Sequence, residues 1–480
     1  MVEIEKNWID DINFLSLRKK NYFVKYDFYN FKIYFLLFIS LLILSILIVQ
    51  ETDLALFIVG ITLSTIIAYK FPKTFIVLNI LLGQVIQFEL EEVFSISSKV
   101  LSFGYFTIRL SDPLIFGIII TMLLKIFTHK KSIIRFIKSD GLFFSLFFFI
   151  IILQVIRNIN LYGINSLGEF RTYYQYFLFI PYFVISLKKS DDRRTVFYLL
   201  VVLSFLHILF GLINGGVLYY FRFEEYNKWL SNFGSLALIY GMFALFLLKR
   251  TENLKLNGPI TSIVFLIGIT IIVISSSRSV WLAGIAGLFI LIIFGQFKLN
   301  NFFSILLLSP ILFYLLVLLF EYSGIDMFIF FEKRLAAFFE YESDPTASWR
   351  YFFWLSTFEK LKDNIILGHG LGQHFQIYIP EFKETITTSP HNLYLTILFH
   401  TGILGTAFYL LFIVKAFIDM KKSLRIISER YIILTSIVVL FIVHFYGIAY
   451  SFEKDFFTWM YVGLGISAIF NRKKDLYAEK

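Results

Sequence analysis

Apolar runs of near membrane-crossing length follow one another along this chain, and few folds can accommodate them. Fourteen can be drawn, at residues 33–49, 54–69, 74–88, 113–128, 141–157, 172–187, 195–214, 232–248, 259–277, 279–296, 302–320, 391–414, 431–449 and 455–470. Hydrocarbon offers no water to pair with exposed amides and carbonyls, so each run is expected to close its own hydrogen bonds as a helix. The chain is 58% hydrophobic and 20% aromatic, with a mean hydropathy of +0.76. Soluble domains run at roughly 45–50% apolar. The fold expected is an all-α polytopic membrane protein. About 14 transmembrane helices (12–14) should carry one large extracytoplasmic loop containing amphipathic helices.

Charge orients the spans. With the N-terminus in the cytoplasm and strict alternation, the inside segments hold 30 of the 44 Lys and Arg but 13 of the 34 Asp and Glu. That is the bias of cytoplasmic loops. It predicts cytoplasmic termini at 1–32 and 471–480, transmembrane helices over 33–320 and 391–470, and an extracytoplasmic loop at 321–390. A net charge of +10 would suggest nucleic acid in a soluble chain; here it falls on cytoplasmic loops, and no nucleic-acid partner is expected. The polar head at 1–30 shows no small-residue cleavage site, so the first span should serve as the insertion signal. With no cysteine, disulfides and thiolate chemistry are ruled out.

The stretch from Thr346 to Gly405 holds the largest polar insertion between apolar spans and four of the seven histidines, His369, His374, His391 and His400. Asp344-Pro345 is a helix start, with a capping carboxylate and a proline in the first turn. Trp349, Phe352, Phe353, Leu355 and Phe358 form an apolar face at near-helical spacing. This predicts an amphipathic helix on the membrane surface or over a cavity. Residues 319–341, with Arg334, read as a second interfacial helix. Gly368, Gly370 and Gly372 favour a tight turn and close backbone approach. With no strand before them, they do not make a dinucleotide fingerprint.

Cations on the outer side run against the insertion bias. Arg278 stands in a one-residue break between two spans, Arg171 starts a span two residues after Glu169, and Arg350 opens the amphipathic helix. Singly, each could snorkel to headgroups, and Arg171 could pair with Glu169. Together they offer forked donors for phosphate oxygens. His391, at the top of a span after Ser389-Pro390, can meet both water and a hydroxyl, which suits a general base. His400, about 13 Å deeper at helical rise, should face the bundle interior, in a structural or a substrate role. His207 and His444 read as embedded structural residues and His129 as cytoplasmic. Neither a metal nor a cofactor is expected, since histidine and carboxylate spacings match no ligand motif.

The segments SSSRSVWLAG (275–284), WRYFFWLSTFEKLKDNIILGHGLG (349–372) and HNLYLTILFHTGILG (391–405) resemble the O-antigen ligase and O-antigen polymerase superfamily of bacterial surface-polysaccharide enzymes. The last has His-Asn, nine residues, then Gly-x-x-Gly, as in the ligase signature. The resemblance implies a metal-independent, inverting glycosyltransferase of the bacterial inner membrane with an extracytoplasmic site. It would take glycan from an undecaprenyl-diphosphate carrier and pass it to an acceptor sugar hydroxyl, on a glycan or a lipid-linked glycan.

Carried over by position, Arg278 would bind the donor diphosphate and His391 would deprotonate the acceptor. Arg171 and Arg350, with Arg334, Glu169, Asn392 and His400, would line the substrate site. Family members often carry an acidic residue where His400 stands, which leaves open whether a carboxylate orients His391 and from where, with Glu169 as a candidate. The activity expected first is polymerisation of repeat units. The alternatives are ligation to lipid A–core, a lipid-linked sugar transporter, and a non-catalytic scaffold. The chain shows no repeat between halves, and its polar residues gather on one face, which speaks against transport.

Overall fold

The computed structural model describes residues 52–86, 99–103, 106–109, 112–128, 130–139, 141–221, 231–252, 258–275, 278–297, 314, 345–372, 377–379, 384–386, 390–424, 429–450 and 456–478. The expected spans 33–49 and 302–320 lie outside these residues, apart from Tyr314. So do the helix expected at 319–341 with Arg334, and His129 and His374. The chain divides into two compact units, Met1–Leu63 and Ser64–Lys480. Of the first, the described part is Thr52–Leu63, the opening turns of one helix, where Thr62 bonds back to the Ile58 carbonyl.

The described chain is helical apart from two short hairpins. In order come α1 (Thr52–Lys70), α2 (Pro72–Leu78, running on as a π-helical stretch Asn79–Ile86), the hairpin β1 (Lys99–Phe103) and β2 (Phe106–Arg109), α3 (Asp112–Thr128), α4 (Lys130–Lys138), α5 (Leu142–Tyr162), α6 (Ile164–Phe177), α7 (Phe179–Ser186), α8 (Ser190–Phe221), α9 (Asn232–Thr251), α10 (Gly258–Ser275) and α11 (Arg278–Ile293). After them come α12 (Pro345–Leu361), the hairpin β3 (Ile377–Ile379) and β4 (Glu384–Ile386), α13 (Leu393–Ser423), α14 (Arg430–Tyr446) and α15 (Phe456–Ala478). Both hairpins pair antiparallel, and Tyr378 faces Thr385 in the second. Among the described residues, four helices are long and apolar enough to cross a membrane, and six shorter ones are apolar.

The expected span at 172–187 is two helices, α6 and α7. Pro181 supplies the reason: its ring collides with the carbonyl four residues back, at Phe177, where α6 ends. The core of Ser64–Lys480 is built on α7, α14 and α15. Phe179 to Ile185 are buried without exception, as are Tyr431 to Leu440 and Phe457 to Asn471. Small residues let these helices approach. A Cβ on Gly463 would stand 3.3 Å from the Phe179 carbonyl, and one on Gly465 would overlap Ser436 at 2.5 Å.

The two ends of this bundle differ in charge. At one end Arg193 at the start of α8 pairs with Glu429 before α14, Lys125 donates to Ser186, and Arg250 reaches the Gly295 carbonyl. Lys188, Lys249, Lys421 and Lys422 end or join helices there too. Phe294, just after α11, meets Phe417 of α13 near that end. Arg278 and His391 stand at the opposite termini of these two helices, toward the other end of the bundle.

Candidate functional site

The opposite end is organised by a break in α13. Gly402 has φ 64° and ψ −170°, which interrupts the helical ladder after His400. The segment 365–370 fills the gap. The His369 and Gly370 amides donate to the Phe399 and His400 carbonyls at 2.7 and 3.1 Å, and the Ile403 and Leu404 amides donate to the Ile365 and Ile366 carbonyls at 2.9 and 3.3 Å. These four bonds re-pair backbone groups that the break frees. Helix α5 grips the plug from the other side. Gln154 donates to the Leu367 carbonyl, Arg157 to that of Gly368, and Asn158 to those of His369 and Leu371.

The glycine run is therefore a packed turn. Gly368, Gly370 and Gly372 all have positive φ, and a Cβ on any of them would overlap Gly402, Asn158 or Ser166. Its amides are engaged with protein acceptors: Gly368 with Asn364, Gly372 with Glu169. A phosphate cradle needs amides that are open to the ligand, so this turn is not one. The neighbouring His369 is spent on structure, with Nε2 on the Lys360 carbonyl at 2.8 Å and its ring stacked on Phe399.

Glu169 does not orient His391 in the way expected from sequence. Its carboxylate accepts the Gly372 amide and lies 3.5 Å from Nε2 of His400. The Tyr173 hydroxyl stands 2.7 Å from Nδ1 of His400. If that hydroxyl donates, Nε2 carries the ring proton and points it at Glu169. His400 is thus buried, as expected, inside a Tyr173–His400–Glu169 chain. Arg171 takes Asp112, the first residue of α3, as its carboxylate partner at 2.8 Å, and both are largely buried. Sequence reasoning missed Asp112, although Ser-Asp-Pro ahead of a span is the same helix-start signal as Asp344-Pro345.

His391 has φ +47°, unusual for a residue with a Cβ, and it precedes the helix of α13. Its ring lies between those of Trp349 and Tyr450, each 5.7 Å away. Arg350 stacks over Tyr450 at 4.9 Å. Burial first, and then the Arg350 charge, hold the imidazole below its usual pKa. A lowered pKa keeps His391 neutral and able to accept a proton at neutral pH. α12, expected on the membrane surface or over a cavity, is clamped to α13: Phe353 and Leu361 bury against Leu395 and Phe399, and Trp354 donates to the Pro390 carbonyl at 2.7 Å.

Asn392, expected among the substrate groups, caps α13. Its amide oxygen accepts from Leu395 at 2.9 Å and its nitrogen donates to the Ile448 carbonyl at 2.9 Å. Asn392→Ala should lower stability by about 1 kcal/mol, seen as a lower Tm in detergent. A residue serving substrate alone would leave Tm where it was. Beside the cap opens a groove of about 230 Å³, lined by Trp354, Phe358, Asn392, Tyr394, Leu398 and Leu410 among others.

The structure thus brings Arg350 to His391. Arg278, half-buried at the first turn of α11, and the Arg171–Asp112 pair stand at the same end on other helices. Among the described residues no group of three or more His, Asp or Glu could hold a metal ion. The class so defined is a polytopic helical membrane protein with a polar site of arginine and histidine at one end of its bundle. Residues 263–410 match the family described as O-antigen ligase, and over that stretch the chain is similar to the O-antigen ligase and polymerase superfamily. The match takes in α11, α12, the plug and the first half of α13. No curated protein matches the chain.

Proposed function

We propose that this protein is a glycosyltransferase of the bacterial inner membrane, acting on the outer face on a glycan carried by undecaprenyl diphosphate. The observation that carries the reading is His391: half-buried, held neutral, and set beside Arg350 at the bundle end that also bears Arg278. In this reading His391 takes the proton of the acceptor hydroxyl as its oxygen attacks the anomeric carbon from the face opposite the leaving group. The bond to the diphosphate oxygen breaks with inversion, and the electron pair leaves on the diphosphate. Arg278 and Arg350 neutralise the charge that develops there. The family match supports glycosyl transfer in general. The groove between Trp354 and Leu410 supports a substrate with an apolar chain. The cationic opposite end supports a cytoplasmic placement of that end, with the termini inside, about fourteen spans, and an extracytoplasmic loop at 321–390 between the membrane helices of 33–320 and 391–470. Glu169, His400 and Arg171 take supporting places around the substrate, and Arg334 would join them from the loop.

The activity proposed is polymerisation of surface-glycan repeat units. Ligation to lipid A–core is the second reading, favoured by the description of the matching family. His391→Ala and Arg278→Ala, expressed at wild-type level, test both on glycan gels. A polymerase should yield single repeats, and a ligase should leave lipid A–core bare. Wild-type glycan from both variants would end the enzymatic reading.

A further inference from the structure

The link from α14 to α15 lies outside the matched segment 263–410, yet it is tied to the site. The Leu393 amide donates to the Gly447 carbonyl at 2.8 Å, and Asn392 donates to that of Ile448. These two bonds fix the link against the residues that follow His391. Tyr450 is the residue the link delivers. One neighbour of its ring is Tyr446, stacked at 5.0 Å and an interplanar angle of 4°. Another is the Arg350 guanidinium at 4.9 Å, and the third is His391.

We infer that Tyr450 is a positioning residue: backed by Tyr446, its ring sets the plane of the Arg350 guanidinium beside His391. The inference deepens the proposed function and rests on it. A guanidinium lying on a ring face spends none of its N–H groups, which stay in its plane for substrate oxygens. Nε of Arg350 is buried and has no hydrogen-bond partner. Hydrogen bonding at that nitrogen therefore does not hold the group, whereas the Tyr450 ring lies against it. Among the described residues, the charged and titratable groups set against His391 are Arg350 from α12 and the Tyr450 phenol from the link, with Trp349 as the third neighbour. Tyr450 thus controls how near a positive charge stands to the base. The end of α14 and the link after it thus become part of the surroundings of His391 and Arg350.

Two variants separate this role from folding. Tyr450→Leu removes the π face, and Tyr450→Phe keeps it. At matched expression and Tm, Tyr450→Leu should cut glycan transfer on the order of tenfold, and Tyr450→Phe should restore most of it. A second readout needs no substrate: acylation of His391 by diethyl pyrocarbonate in the purified protein, followed by peptide mass across pH, reports its neutral fraction. With Arg350 released the midpoint should rise in Tyr450→Leu, as in Arg350→Gln, and stay at the wild-type value in Tyr450→Phe. A wild-type midpoint in Tyr450→Leu would overturn the inference, and so would Tyr450→Phe behaving like Tyr450→Leu. The mass readout holds whether or not the chain transfers glycan. Active His391→Ala protein would instead strike the proposed function itself.

Discussion

Gly402→Ala should abolish the product without removing any group that faces substrate. Two penalties combine. The backbone at φ 64° and ψ −170° lies in a region open almost only to glycine, and holding another residue there costs on the order of 1–3 kcal/mol. The new Cβ would also stand 2.2 Å from the Ile366 carbonyl oxygen and 2.5 Å from the Gly368 amide nitrogen. Both are backbone atoms, so no rotamer relieves the overlap. The plug must back out of the break, and the bonds from His369, Gly370, Ile403 and Leu404 go with it. At roughly 1 kcal/mol each, the total reaches about 5 kcal/mol, a large part of what holds most folded chains together.

Gly163→Ala is the internal control. Gly163 also has positive φ, at 56°, but a Cβ there would meet nothing within 4 Å. It should suffer the backbone term alone and keep both fold and product. The comparison is read as Tm in detergent and as protease resistance of the 365–372 segment. Equal Tm values for the two variants would mean that the plug contributes nothing.

This arrangement shows how far the sequence could be read. Apolar length and loop charge carry the helical class, because burial in hydrocarbon acts residue by residue and leaves its mark in composition. The histidine and arginine positions were legible through local motifs, Arg278 in its short break and His391 ahead of Asn392. Contacts between distant segments were not. Asn158 holds His369 across 211 positions and Gln154 holds Leu367 across 213. A polar residue inside an apolar span says that a partner exists without naming it. Tyr450 is one of 28 tyrosines and stands in no motif. The break at Gly402 did have a signal, since three glycines at 368–372 and two at 402–405 each reserve room for a backbone. Their mutual contact appears only in three dimensions.

Far from that site, Glu429→Ala should be as damaging. Nε and Nη2 of Arg193 donate to the two Glu429 carboxylate oxygens at 2.9 and 3.1 Å, and Nη1 donates to the Leu187 and Lys188 carbonyls. The side chains are only 7% and 2% exposed. Removing the carboxylate leaves a guanidinium without its counter-charge where water enters poorly, a loss of about 3–5 kcal/mol. Replacing both residues, as Arg193→Met with Glu429→Leu, removes the stranded charge as well as the attraction. The double variant should therefore melt closer to wild type than Glu429→Ala does. A Tm for Glu429→Ala equal to wild type would show that the pair carries no such weight. The pair joins the start of α8 to that of α14, a helix of the buried core, so its loss should act on folding and not on chemistry. Growth at lower temperature should then return product to Glu429→Ala, whereas His391→Ala should stay without product at every temperature at which it folds.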